Sequence, residues 1–387
     1  MRVGIDGNIL TLRKTGIVEY AARIINGILA SAPDVSFSVH LPTPLRRLHR
    51  KEDTVLRARQ YIVDPAGKVA MYPQIFPPQK IQRKLWDFIG YPAVESIIGE
   101  IDVFHGMSYV LPPRRRAKGI LTICDLTFLL FPEYHAQGMQ SLARTIRRQA
   151  HSADAVIAIS EHTRKDIVES LGVPDERVVV TLLAADEKYR VLPRSEVLPV
   201  TFRYGIDGDY ILYTGTLEPR KNVTAIIEAF NILKREMALP HRLVIAGRKG
   251  WLYDGLFKQI EEIKLGRDVI FTDFVPDEDL VALYNGASLF VYPSLYEGFG
   301  LPPLEAMACG CPVVTSNTSS LPEVVGDAGL MVDPRRPEEL AEAMARIIED
   351  SALRAELREK GLKRAAEFSW RRCAEETLAV YRELTGK

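Results

Sequence analysis

Tyr296 to Val314 reads Y-E-G-F-G-L-P-P-L-E-A-M-A-C-G-C-P-V-V, and the fold turns on how it is parsed. The apolar run L-F-V-Y-P-S just before it has the length and composition of a buried strand. Pro302 and Pro303 suit the first turn of a helix, where no intrahelical N–H is lost. The stretch therefore reads strand, glycine loop, helix. Glu297 falls in the loop at the strand's C-terminal end, and Glu305 near the helix start, with seven residues between them. Gly298 and Gly300 let a ligand approach the backbone and expose N–H donors. A carboxylate accepts hydrogen bonds from two neighbouring hydroxyls, the arrangement on a sugar ring or a ribose.

The same strand–helix alternation runs the length of the chain. Candidate strands are V-G-I-D, F-S-V-H-L, Y-I-V-D, D-V-F-H, I-L-T-I-C, A-V-I-A-I-S and V-V-V-T-L, then Y-I-L-Y-T-G, L-V-I-A-G, D-V-I-F-T, L-F-V-Y-P, P-V-V-T-S and G-L-M-V. Helical periods lie between most of them, as in N-V-T-A-I-I-E-A-F-N-I-L-K-R-E, with Asn222 as its N-cap. Such alternation predicts parallel sheets covered by helices on both faces. Ala184 to Pro199 is charged, carries two prolines and has no clear period, so it reads as a linker between two domains, 1–190 and 200–369. The expected class is α/β, with two doubly wound domains facing across a cleft lined by strand C-terminal ends.

Composition narrows the function. Fifty Lys plus Arg balance fifty Asp plus Glu, which argues against a whole-protein attraction to nucleic acid. No apolar run is long enough to span a bilayer and the N-terminus lacks a signal-peptide core, so a cytoplasmic protein is expected. Four cysteines in 387 residues make no disulfide framework, and no His or Cys cluster completes a metal site. No G-x-G-x-x-G follows any expected strand, which disfavours a nicotinamide dehydrogenase.

The loop G-T-L-E-P-R-K-N, Gly215 to Asn222, follows a strand and delivers Arg220 and Lys221 as a helix begins. Free helix N–H groups with adjacent cations suit phosphate oxygens, although a solvated basic pair is the plainer reading.

Together these segments resemble the family-four retaining glycosyltransferases of GT-B fold. E-G-F-G-L-P-P-L-E is similar to their Glu-x7-Glu motif and G-T-L-E-P-R-K-N to their donor-diphosphate loop. T-G-I-V-E-Y, A-D-A-V-I-A-I-S-E-H-T, L-V-I-A-G-R-K-G-W and F-V-P-D-E-D-L extend the likeness over nearly the whole chain. The resemblance implies two Rossmann-like domains and a nucleotide-diphospho-sugar donor, GDP- or UDP-linked, held mainly by the C-terminal domain. It implies a carbohydrate or lipid-linked acceptor on the N-terminal domain, and retention with neither cofactor nor obligatory metal. Glu297 would bind the sugar's hydroxyls and Glu305 the ribose. Phe299, Gly300 and Leu301 would offer backbone N–H groups, and Arg220 and Lys221 would stabilise the departing diphosphate. Gly215 and Thr216 would line the phosphates, with Gly16 approaching them from the N-terminal domain. Gly247, Arg248, Phe274 and Val275 would pack the base and ribose.

Two departures stand out. Many family members carry Arg where this chain has Thr216, and many have His-Asp where it reads Cys124-Asp125. His105, at the end of the preceding strand, is then the candidate for the same pocket beside Asp125, with a structural His as the plainer reading. The amphipathic segment 370–387 is expected to return to the N-terminal domain through Trp370, Leu378 and Tyr381. The basic stretches Arg46 to Lys51 and Pro112 to Lys118 read first as solvated loops and second as contacts to an anionic membrane. The expected function is transfer of a hexose in polysaccharide or glycoconjugate assembly. A GT-B epimerase or a non-turnover nucleotide-sugar binder is the alternative.

Overall fold

The computed structural model describes residues 1–12, 16–42, 51–74, 79–134, 140–248, 250, 256 and 260–387. The chain divides into two compact units, Met1–Leu183 with Trp370–Lys387, and Ala184–Ser369.

The first unit holds seven strands: β1 Arg2–Asp6, β2 Ser36–Pro42, β3 Val69–Gln74, β4 Val103–Gly106, β5 Lys118–Ile123, β6 Ala155–Ala158 and β7 Val178–Val180. They pair parallel in the order β3-β2-β1-β4-β5-β6-β7, so the winding reverses between β1 and β4. Its strands read as unbroken apolar runs because both faces are covered. Phe104, Leu121, Ile123 and Val156 are wholly buried in one cluster with Ile146 of the Gln140–Ser152 helix. The Trp370–Thr385 helix packs against the Gly16–Ser31 helix, and Gly27 makes that approach close. A Cβ there would lie 2.6 Å from that of Ala374.

The second unit holds β8 Tyr210–Thr214, β9 Arg242–Ala246, β10 Val269–Asp273, β11 Leu289–Tyr292, β12 Val313–Ser316 and β13 Gly329–Val332. Their order is β10-β9-β8-β11-β12-β13, all parallel, with the reversal between β8 and β11. In open sheets of this kind, ligands gather at the strand C-terminal ends beside that reversal.

Two expectations fail. Y-I-V-D at 61–64 is no strand: Tyr61 and Ile62 close the turn after the Lys51–Arg59 helix, and Asp64 accepts the N–H groups of Lys68 and Val69. The strand is β3, whose Pro73 is tolerated because β3 lies at the sheet edge. The C-terminal part of the supposed linker opens a helix, Arg194–Arg203, packed on the Asp277–Gly286 helix. Arg203 and Tyr204 both hold Asp279, at 2.5 and 2.7 Å. Leu192 N–H donates to Asn285 Oδ1 at 2.7 Å, so the stretch is built into the second unit.

Candidate active site

The site in the second unit starts where β8 ends. Gly215 and Gly247, following β8 and β9, touch backbone to backbone: a Cβ on Gly247 would sit 1.8 Å from the Gly215 oxygen. Leu217 N–H donates to Arg248 O at 2.9 Å, lacing the two loops together. Glu218 is extended and Pro219–Lys221 form one 3-10 turn before the Val223–Met237 helix. Asn222 occupies the expected cap position, but in the left-handed region, and caps nothing. Its amide donates instead to Pro293 O and Pro334 O, at 3.2 and 2.6 Å. Leu295 N–H donates to Arg220 O at 2.9 Å, which ties the β8 loop to the loop after β11.

That tie brings Arg220 and Lys221 onto Glu297. Lys221 Nζ is 2.6 Å from Glu297 Oε1 and donates to the Tyr292 hydroxyl at 2.5 Å. Arg220 Nη1 is 3.0 Å from Glu297 Oε2 and 2.6 Å from Tyr296 O, while Nη2 is 2.5 Å from Glu218 Oε1. Ser294 and Tyr292 hydroxyls also donate to Glu297 Oε1, at 2.5 and 3.1 Å. Burial opposes ionisation of Glu297, but Lys221 and Arg220 outweigh it and hold the carboxyl down to about 2. Burial also lowers Lys221, against the pull of Glu297. Arg220 is held above its ordinary value: burial works against its charge, and Glu297 and Glu218 outweigh it. Among the described residues, Lys221 Nζ meets two acceptors, fewer than its three N–H groups could serve.

Glu305 sits one turn into the Leu301–Ala308 helix. Gly300 precedes it at φ 125°, a conformation L side chains avoid, and a Cβ there would lie 2.9 Å from Leu321 Cδ2. The Tyr284 hydroxyl donates to Glu305 Oε2 at 3.2 Å and lies 2.8 Å from Thr214 Oγ1 at the end of β8. Burial pushes the Glu305 carboxyl up to about 8. Tyr284 and Tyr189 bonds and Lys188 oppose that, and Asp277 adds to it. Lys188 is itself committed to Asp277, at 2.7 Å. Phe299 is buried against Phe368, and Ser320 Oγ donates to the carbonyls of Glu297 and Phe299. Among the described residues, nothing accepts from the N–H groups of Phe299, Gly300 and Leu301. Beyond β9 and β10, the Arg248 guanidinium lies 4.1 Å over the ring of Phe274, which is exposed, whereas Val275 is buried.

The first-unit candidates stand differently. Gly16 opens the Gly16–Ser31 helix, next to residues 13–15, which lie outside the described residues, as do 46–50 of the basic stretch. His105 does not reach a pocket. It is wholly buried, with Nδ1 2.7 Å from the Tyr381 hydroxyl and Nε2 2.7 Å from Thr122 Oγ1, which in turn meets Tyr20 at 2.9 Å. Burial lowers it to about 3, so it is a neutral bridge from β4 to the Trp370–Thr385 helix. Asp125 Oδ1 caps the Thr127–Leu130 turn, accepting from Thr127 N–H at 3.0 Å and Oγ1 at 2.7 Å. Burial, with Asp125 beside it, pushes the Cys124 thiol up to about 12. Among the described residues no three His, Cys, Asp or Glu side chains are placed to hold a metal ion. No described helix is long and apolar enough to cross a membrane.

Residues 203–364 match the family described as glycosyl transferases group 1, and residues 28–186 that described as glycosyltransferase family 4. The O-antigen chain mannosyltransferase B of Escherichia coli is 38% identical over 286 residues, 73% of this chain and 74% of the relative. This chain is a family-4 glycosyltransferase. The glycosyltransferase also matches the serotype-specific mannosyltransferase WbdA of Escherichia coli, 36% identical over 56% of the chain but only 27% of WbdA. Among solved structures it resembles sucrose-phosphate synthase from Thermosynechococcus elongatus, at 18% identity with a TM-score of 0.76, covering 100% and 99% of the two chains. Anabaena Alr3699/HepE in complex with UDP-glucose matches at 19% identity and a TM-score of 0.72, covering 98% and 99%. Its two parallel-sheet units and these full-length likenesses give the glycosyltransferase the GT-B fold.

Proposed function

We propose that this glycosyltransferase moves a hexose from a nucleotide-diphospho-sugar to a carbohydrate or lipid-linked acceptor in surface polysaccharide assembly, with retention and without an obligatory metal. The observation that carries the reading is the Glu297–Lys221–Arg220 cluster, set at the β8/β11 reversal beside the unbonded N–H groups of Phe299, Gly300 and Leu301. Those N–H groups and the outward donors of Arg220 and Lys221 would meet the diphosphate and stabilise the charge that develops as it leaves. Glu297 would bind sugar hydroxyls by sharing donors it already holds. Glu305, linked to Thr214 through the Tyr284 hydroxyl, would take the ribose, and Arg248 with Phe274 would flank the base. The names of the two Escherichia coli relatives support a glycan acceptor and a mannose-like sugar, and the HepE complex supports a nucleotide-linked donor.

Glu297 is charge-paired with two cations and accepts two hydroxyls besides, three of these four contacts falling on Oε1, which makes it a poor nucleophile toward carbon. That favours same-face substitution, with the departing diphosphate taking the acceptor's proton, over a double displacement. The deciding experiment offers uridine, guanosine and adenosine diphospho-sugars with glycan acceptors in the presence of chelator, following nucleotide release and the anomeric configuration of the product. Transfer with inversion, transfer restored only by added manganese or magnesium, or binding without turnover would each overturn a named part of the reading.

A further inference from the structure

The reversal between β1 and β4 in the first unit carries a small pocket of its own, walled in part by Asp6, His40, Gln82, Trp86, Val110 and Pro112. Asp6 ends β1, and His40 is its register partner in β2. Gln82 and Trp86 lie one turn apart on the Gln79–Phe88 helix. Asp6, His40 and Gln82 are 4, 2 and 1% exposed, so polar chemistry is sunk here into a core. Gln74 Oε1 accepts from Gln82 Nε2–H at 2.7 Å and lies 2.5 Å from His40 Nε2. A carbonyl oxygen only accepts, so His40 carries its proton on Nε2. Burial lowers the ring's pKa against the pull of Asp6, which keeps it neutral and leaves Nδ1 a bare lone pair. Among the described residues, neither His40 Nδ1 nor Gln82 Oε1 has a hydrogen-bond partner. Two buried acceptors left in this way cost free energy until a ligand or a water serves them.

The walls are firmly held. A Cβ on Gly106, at the end of β4, would lie 2.0 Å from Val110 O, so the loop folds straight back on its strand. Tyr109 in that loop sits at φ 59°, a region costly for a bulky side chain. Its hydroxyl accepts from Asp125 N–H at 3.2 Å and donates to Asp125 O at 3.1 Å, which pins the loop to the one after β5. Trp86 donates Nε1–H to Pro92 O at 2.9 Å, fixing its ring beside that of His40, with centroids 5.9 Å apart. The pocket's free volume is about 10 Å³, room for one water-sized group. A bare imidazole nitrogen and an amide oxygen suit a group with a proton to give, and the Asp6 carboxylate beside them repels phosphate and carboxylate. In open sheets, ligands gather at such a reversal, and a few placed polar groups in an apolar wall fix their orientation.

We propose that this pocket selects one hydroxyl of the acceptor sugar, set between Gln82 Oε1 and His40 Nδ1, with the half-buried Trp86 against the ring that bears it. The inference rests on the glycan-acceptor reading above and adds the atoms by which that acceptor is read. The probes are the methyl α-glycosides of mannose, glucose and galactose with their monodeoxy analogues, titrated onto the purified full chain by ligand-detected NMR. Binding is measured rather than transfer, because removing the attacking hydroxyl abolishes transfer for a separate reason. Loss of one particular hydroxyl should weaken binding roughly five- to a hundredfold, the effect of leaving buried acceptors unserved. Gln82→Leu should weaken the intact glycoside and should no longer distinguish it from that analogue. The analogue series on the parent chain keeps the test in force if the variant fails to fold, which melting curves would show. A parent that binds no glycoside, a series in which every analogue binds like the intact sugar, or a folded Gln82→Leu that keeps the discrimination would each overturn the proposal. So would tighter binding of the amino-deoxy analogue, which assigns the pocket to an ammonium group. Free UDP and GDP titrated onto the same sample separate the two readings. Nucleotide bound without glycoside fails the subsite alone, and neither bound fails the transfer reading as well.

Discussion

Glu297 and Glu305 carry the same functional group with seven residues between them, and the protein holds one ionised while pushing the other toward its neutral form. Burial raises both. What separates them is the company each keeps. Glu297 has Lys221 at 2.6 Å and Arg220 at 3.0 Å, supplied by the loop after β8. Glu305 meets tyrosine hydroxyls, and its nearest lysine is spent on Asp277. The lesson is that a two-carboxylate spacing fixes where the groups sit and not what they do. One belongs to an ion cluster that organises the loop, and the other is an acid poised to change its protonation when something polar arrives.

Neutralising each carboxylate in turn should break the symmetry most visibly. Glu297→Gln leaves the buried Lys221 without its counter-charge and Arg220 with Glu218 alone, and should cost about 3–5 kcal/mol of stability. Glu305→Gln resembles the neutral form and should cost little. Their pH profiles should run in opposite senses. Stability from Glu305's raised pKa is fully present below the ordinary carboxylate range and is lost as pH rises through about 8. The contribution of Glu297 is present above that range and lost as pH falls through about 2. Melting temperatures of the parent and both variants between about pH 2 and about pH 9 check this pattern, and equal losses at the alkaline end would refute it.

Removing a cation tests the chemistry. Lys221→Ala should lower turnover by roughly 10²–10³, the effect of deleting one preorganised donor to developing charge. Donor consumption at saturating substrate reads it, and a rate within a few-fold of the parent would remove Lys221 from the mechanism. The effect on nucleotide binding should be smaller and should fall on the other carboxylate. Glu305→Ala should weaken free nucleotide diphosphate by about 1–3 kcal/mol. If the ribose selects the ionised carboxylate, the parent should also release a proton on binding at neutral pH, and Glu305→Gln should not. Calorimetry in buffers of different ionisation enthalpy measures that proton, and buffer-independent heats for the parent would sink the assignment.

A third buried titratable group sharpens the contrast from outside the pair. His105 is neutral, and among the described residues it is bonded to Tyr381 and Thr122 and to no cation or carboxylate. Tyr381→Phe should cost about 1 kcal/mol, because the Thr122 half of the relay persists, and should leave nucleotide affinity unchanged. A large loss of transfer in a folded variant would return His105 to the active site.

Much of this was legible in the sequence for local reasons. The strand, the glycine turn and the proline-started helix around Glu297 and Glu305 are contiguous, and strand–helix alternation follows from periodicity alone. Arg220 and Lys221 were visible as a pair, but their commitment to Glu297 was not, because it depends on β8 lying beside β11. Tyr292 and Ser294 escaped notice as ordinary strand-end residues, although both donate to Glu297. His105 misled because its partner, Tyr381, lies 276 residues away. Arg194–Arg203 hid its helix behind Pro199, and β3 hid behind Pro73, since propensity marks each proline as a breaker without knowing its neighbours.

The bridge from His105 to Tyr381 also has a consequence for synthesis. The first unit is discontinuous: its helix Trp370–Thr385 follows the whole of Ala184–Ser369 in the chain. At about 5–20 residues per second, a ribosome delivers that helix on the order of ten to forty seconds after Leu183. Until then Gly27 has no helix to close on and His105 Nδ1 has no hydroxyl to meet. The segment translated first is therefore the one completed last, and the uninterrupted second unit can finish while the first still waits for its final helix.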